Sequence, residues 1–98
     1  GADIRDHINV RDVSRAIACS VDKRIDGIIN VASGNAVSFS YIADLVKQCA
    51  APSIEVVSIP RKIKKTKRVF DNARLLKCLC QDQMRAIEEE IPRLWKAF

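Results

Sequence analysis

The sequence contains few of the residues that most often carry catalysis or bind metals. It has one histidine, His7, and aromatic residues make up 5% of the chain. The four cysteines form no C-x-x-C pair and are distant from the histidine in sequence, so the ligand spacing of a zinc site is absent. We expect no metal site and reduced thiols, although the Cys78-x-Cys80 spacing leaves metal or redox chemistry open there. The other two cysteines, Cys19 and Cys49, lie in apolar helical patterns and are expected to be buried hydrophobes.

Motifs that cradle phosphates or supply nucleophiles are also missing. The three glycines form no G-x-G-x-x-G, and no G-x-x-x-x-G-K-S/T occurs. Ser33 has Val31 where a nucleophile elbow needs glycine, and Tyr41 is followed four positions later by Leu45 rather than by lysine. We therefore expect no catalytic residue in this chain.

Long apolar runs are absent as well. No run approaches the ~18 residues of a membrane span, and residues 1–10 contain no apolar signal core. The 98 residues, 48% hydrophobic and 30% charged, have the composition of a single globular domain. We expect a cytoplasmic protein without a membrane partner.

The net charge of +5 is concentrated in one stretch, which we call the basic segment, residues 61–68. It could bind an anion, or it could be a solvated strand whose lysines keep a sheet edge soluble. Nucleic acid is disfavoured as a partner because no aromatic residues are interleaved for base stacking. Outside the segment, eleven basic residues face twelve acidic ones. Its six basic residues are Arg61, Lys62, Lys64, Lys65, Lys67 and Arg68.

Apolar residues recur at helical spacing in four segments, and short β-branched runs predict strands between them. Asp12 and Asp71 are the predicted N-caps of the first and third helices. The pattern predicts a mixed α/β (α+β) fold with short strands and about four helices. The predicted helices cover residues 12–22, 40–50 and 72–79, and the predicted strands cover 27–32, 54–59 and the basic segment with its extension to residue 70.

The second and fourth predicted helices carry further signals. Pro52 should end the region of the second helix. The last helix should follow a cap at Asp82, present an inner stripe from Met84 to Phe98, and bend at Pro92. Residues 88–90, three consecutive glutamates, should form its solvated side.

Several segments match a family pattern in the right order. Residues 5–16 read RDHINVRDVSRA, residues 30–38 read NVASGNAVS, Pro60-Arg61 begins a P-x-R pattern, and residues 70–76 read FDNARLL. Together they resemble the C-terminal part of the NAD-dependent epimerases/dehydratases, the extended short-chain dehydrogenases/reductases that act on nucleotide sugars. The resemblance spans essentially the whole chain. It departs from the family at residues 63–65 and 78–80, where glycine and aspartate, and then L-G-W/F, are usual.

The resemblance implies that residues 1–98 are a single substrate-binding lobe, a fragment of a longer oxidoreductase, isomerase or lyase. A Rossmann domain carrying the glycine-rich loop and the Tyr-x-x-x-Lys pair would lie upstream and would bind NAD or NADP. The lobe would not be catalytic alone. Its partners would be a nucleotide-diphosphate sugar and that domain, and an uncovered apolar face should lead the isolated lobe to self-associate.

The resemblance also implies the binding residues. Arg5 would bind the diphosphate, and Arg61 or the neighbouring Lys62 would contact the diphosphate or ribose. A guanidinium suits this role because it offers bidentate donors to phosphate oxygens. The alternative for Arg5 is a salt bridge with Asp6 or Asp12. The alternative function is a small basic module that contacts a polyanion or an acidic protein through residues 61–68.

Overall fold

The computed structural model describes residues 1–50 and 53–97. These residues form a small mixed α/β fold with four helices and one two-stranded sheet, which confirms the predicted class. Pro52 and Phe98, which carried two of the sequence predictions, lie outside the described residues. The elements are β1 (Ile4–Arg5), α1 (Val10–Asp22), β2 (Val37–Ser38), α2 (Phe39–Ala50), α3 (Ala73–Leu79) and α4 (Ile87–Ala97).

Strand β1 lies between two other segments. On one side it pairs antiparallel with β2, with Ile4 opposite Ser38 and Arg5 opposite Val37. On the other side Ile4 forms a parallel bridge with Lys67, the only residue of the basic segment in a β-bridge among the described residues. The start of the chain is therefore held against the end of the basic segment.

Helix α1 begins earlier than predicted and has a different cap. The side chain of Asn9 accepts a hydrogen bond from the Arg11 N–H at 2.8 Å, so Asn9 is the N-cap. The prediction that Asp12 caps this helix is wrong, because Asp12 lies in the first turn and is fully buried. At α3 the carboxylate of Asp71 does accept from the Ala73 N–H at 2.9 Å, although Asn72 occupies the N-cap position.

The strands predicted at 27–32 and 54–59 do not form. Neither segment has a strand beside it among the described residues. In the first segment the carbonyls of Ile28 and Ala32 instead accept hydrogen bonds from the side chains of Arg74 and Asn72. Some of their large side chains are open to solvent: Ile28 and Ile59 are each 86% exposed. The β-branched composition was therefore insufficient to define strands here.

The last helix starts at Ile87 rather than directly after Asp82. The backbone N–H of Arg85 donates to the Asp12 carboxylate at 3.3 Å, which holds residues 82–86 in an irregular path. Pro92 lies inside the helix, as predicted. The prediction that residues 88–90 are all solvated is wrong for Glu90, whose side chain is only 12% exposed.

The core is small and lies where α1 packs against α3. Leu75 of α3 is fully buried against Ala16 of α1 and Met84, with Ile8, Ile29, Leu76 and Leu79 packed around them. Helices α2 and α4 pack on each other. The molecule measures 48 × 34 × 19 Å and its radius of gyration is 15.9 Å, above the ~13 Å typical of a compact domain of this length. Among the described residues no helix is both long and apolar enough to cross a bilayer.

Candidate functional site

Arg5 lies on β1 and reaches across to the basic segment. Its guanidinium donates to the carbonyl of Ile4 at 2.9 Å, to the carbonyl of Thr66 at 3.2 Å and to the Thr66 hydroxyl. The bond between β1 and the segment is reinforced by the Ile4 N–H, which donates to the Thr66 carbonyl at 3.1 Å. The alternative salt bridge from Arg5 to Asp6 or Asp12 does not form, because those carboxylates take other partners.

Arg61 is brought to the same place through Asp3. Its Nη1 lies 2.8 Å from Oδ1 of Asp3, which also accepts from the Thr66 N–H at 2.8 Å. Asp3 and Thr66 thus join the two arginines predicted from sequence, which are 56 positions apart. Lys62 is exposed on a bend at residues 62–63. We call Asp3, Arg5, Arg61 and Thr66 the arginine cluster.

The charge of the arginine cluster is fixed over a wide pH range. Hydrogen bonding from the Thr66 backbone, and then from the Arg61 side chain, lowers the pKa of Asp3 to about 2. Asp3 is therefore ionised at neutral pH and orients Arg61. The charges near this carboxylate are those of Arg61, which is in direct contact, and Arg5, so the cluster keeps a net positive charge.

A second group of polar residues shapes the backbone beside the cluster. The two carboxylate oxygens of Asp6 accept from the N–H groups of Ser33 and Gly34 at 2.8 and 2.9 Å. The carboxamide of Asn72 donates to the Ala32 carbonyl at 3.1 Å. Three of the sequence segments that carried the resemblance therefore meet at one turn, and Asp6, Asn72 and Ser33 act there as structural residues.

Asp12 organises a separate network between α1 and the residues at the start of α4. Its carboxylate is 1% exposed and lies 3.2 Å from Nε of Arg85, with Arg15 farther away at 3.9 Å. Arg85 also approaches Glu90 at 3.8 Å, and Glu90 accepts from the Asn9 side chain at 2.7 Å. This network ties α1 to α4. Sequence reasoning missed it because no local pattern links residues 12 and 85.

A cleft of about 260 Å³ with a largely polar lining opens beside this network. It is lined by His7, Ser33, Asn35, Asn72 and Asp82, among others. The imidazole of His7 packs edge-on against Phe39, with ring centroids 5.3 Å apart. No cluster of three or more His, Cys, Asp or Glu residues able to hold a metal ion occurs within residues 1–50 and 53–97.

Comparisons with known proteins give no assignment of their own. No protein-family model matches the chain, and no curated protein or solved structure matches it either.

Proposed function

We propose that this chain is the substrate-binding lobe of an NAD- or NADP-dependent nucleotide-sugar epimerase, dehydratase or reductase. The observation that best supports the proposal is the arginine cluster, in which Thr66 and Asp3 connect Arg5 to Arg61 although the two arginines are far apart in sequence. The two arginines would hold the diphosphate of a cytoplasmic nucleotide sugar, with Lys62 at the rim.

The donor inventory of the cluster is compatible with an anion. A guanidinium has five N–H donors. Arg61 uses Nη1 on Asp3, and Arg5 uses Nη1 and Nη2 on Ile4 and Thr66, so each retains donors for phosphate oxygens. Charge-assisted bonds to phosphate are roughly twice as strong as neutral ones. The contacts within the protein therefore position both arginines and leave N–H donors free on each.

The chemistry of such an enzyme would reside outside this lobe. NAD or NADP, held by a Rossmann domain, would accept and return the hydride. This chain would bind the nucleotide and orient the sugar, so that binding energy from the remote diphosphate fixes the position of the reacting carbon.

An apolar groove offers a surface against which the Rossmann domain could pack. The groove is lined by two residues of α1, Ile17 and Val21, and by Val31 of the segment 27–32. Their exposed fractions are 61%, 74% and 42%. Without that domain the groove should pair with a second copy of the chain. Sedimentation velocity over a range of concentrations should show reversible self-association of the wild-type chain. An Ile17→Lys variant, which places a charge in the groove, should remain monomeric. A wild-type chain that stays monomeric at high concentration would contradict this part of the proposal.

The binding proposal is tested by calorimetric titration of the chain with UDP-, GDP- and dTDP-linked hexoses. At least one should bind saturably, and Arg5→Ala and Arg61→Ala should each weaken it at least tenfold, the loss of about 1.4 kcal/mol of binding free energy. Arg11→Ala, which removes an exposed arginine from α1, is the matched control and should bind normally. Binding that is indifferent to Arg5 and Arg61 would refute the site.

A second function rests on a separate observation, the exposure of the basic segment. Every residue of the segment except Thr66 is exposed. A module that contacts a polyanion or an acidic protein would use these lysines. Heparin and poly-glutamate binding should then fall steeply with salt and be lost when Lys64, Lys65 and Lys67 are changed to Gln, whereas Arg5→Ala should have little effect. The nucleotide-sugar proposal predicts the reverse pattern for the two sets of variants.

A further inference from the structure

Two cysteines from different helices lie in direct contact. Sγ of Cys19 on α1 and Sγ of Cys78 on α3 are 3.0 Å apart, only about 1 Å more than an S–S bond of ~2.05 Å. The Cys19 thiol also donates to the Cys78 carbonyl at 3.1 Å. Because α1 and α3 form the main helix contact of the core, their separation is already fixed by packing.

A lysine and a third cysteine, Lys23 and Cys80, lie close to this pair. Lys23 at the end of α1 donates to the Cys78 carbonyl, and its Nζ lies 3.6 Å from Sγ of Cys80. Cys80 caps α3 with a left-handed φ of 54° and is exposed. Desolvation lowers the pKa of Lys23, but the neighbouring sulfurs of Cys19, Cys80 and Cys78 outweigh it and raise the pKa above its ordinary value. The ammonium therefore persists beside the three sulfurs.

We propose that Cys19 and Cys78 are a site of reversible disulfide formation, closed by exchange with a low-molecular-weight disulfide such as oxidised glutathione. The thiolate of Cys19 attacks one glutathione sulfur, forms a mixed disulfide and releases one glutathione thiolate. The thiolate of Cys78 then attacks the Cys19 sulfur and releases the second. Two protein thiols are oxidised, one glutathione disulfide is reduced, and the two protons pass to the two glutathione thiolates.

The order of attack follows from access. Cys19 is partly exposed, whereas Cys78 is 6% exposed. The hydrogen bond with Cys19, and then burial, raise the pKa of the Cys78 thiol, so Cys78 keeps its proton until the mixed disulfide forms beside it. Cys78 is accordingly the resolving residue rather than the first nucleophile.

The chain offers a direct chemical test. After incubation with oxidised glutathione, trypsin should release residues 16–23 linked to residues 78–85, with the loss of two titratable thiols and their recovery with dithiothreitol. Since the second peptide contains both Cys78 and Cys80, the digest is repeated on Cys80→Ser, which should still give the link. Cys19→Ser and Cys78→Ser should abolish it. Cys49→Ser, a cysteine on α2, is the matched control and should leave it intact.

Thermal unfolding of the wild-type chain tests the same disulfide without any substitution. The oxidised wild-type chain should unfold at a higher midpoint than the reduced chain, because a cross-link restricts the unfolded state. A glutathione adduct without an internal link, a Cys78–Cys80 bridge, or a link that requires Cys49 would each overturn the proposal. None of these results bears on the nucleotide-sugar site, which lies at the arginine cluster.

Discussion

Replacing Gly34 by alanine should destabilise the turn at which residues from the segments 5–16, 30–38 and 70–76 meet. Gly34 has a φ of +77°, and its N–H donates to Asp6. A Cβ at this position would lie 2.7 Å from three atoms of the Asn72 carboxamide, closer than real Cβ contacts allow. Asn72 would have to move, and its hydrogen bond to the Ala32 carbonyl would be lost.

Two effects set the magnitude. The left-handed backbone costs a residue with a Cβ about 1–2 kcal/mol. The lost hydrogen bond adds about 1 kcal/mol. Gly34→Ala should therefore lower the free energy of unfolding by roughly 2–3 kcal/mol, which in a domain of this size shifts the melting temperature down by roughly 10–20 °C.

Gly27→Ala is the matched control. Gly27 has a similar φ of +84°, but a Cβ there would meet only the flexible end of Arg74, at 3.3 Å. Gly27→Ala should therefore lower the free energy of unfolding only by the backbone contribution of about 1–2 kcal/mol. Urea unfolding of both variants, and of Gly34→Ala in an Asn72→Ala background, separates the two effects. The reasoning fails if Gly34→Ala costs no more than Gly27→Ala, or if removing the Asn72 side chain does not reduce its cost.

Three further variants test the charged contacts. Asp3→Asn should reduce the free energy of unfolding near neutral pH. The difference from wild type should shrink as pH falls from about 4 toward 2, because the folded pKa of Asp3, about 2, is below its ordinary value of 3.8. Urea unfolding measures this difference across the pH range, and a constant difference would refute the prediction. The phenol of Tyr41 donates to Glu88 at 2.8 Å, which raises the pKa of Tyr41, the only tyrosine. Ultraviolet titration should therefore show a lower Tyr41 pKa in Glu88→Gln, and an unchanged curve would contradict the contact. Asp12→Ala should lower the free energy of unfolding by roughly 3 kcal/mol, since it leaves Arg85 without its buried partner. A loss below about 1 kcal/mol in thermal or urea unfolding would show that Asp12 does not hold α1 to α4.

The sequence by itself determined the helical part of this protein. All four helices form where apolar residues recur at helical spacing, because that periodicity fixes which face each helix can bury. Local chemistry also predicted a capping role for Asp71 at the start of α3; its carboxylate accepts from the Ala73 N–H, although Asn72 is the N-cap. Pro92 was likewise correctly placed within the last helix. The strands at 27–32 and 54–59 were predicted from composition and failed, because a strand exists only when a second segment supplies its hydrogen bonds.

The tertiary structure alone decided which polar groups meet. Asp12 has the position of a helix cap in sequence, yet its buried carboxylate pairs with Arg85, which arrives from 73 positions away. Cys19 and Cys78 have no meaningful spacing in sequence, yet the packing of α1 on α3 places their sulfurs in contact. Long-range contacts of this kind depend on how the helices pack, which no local pattern of residues encodes.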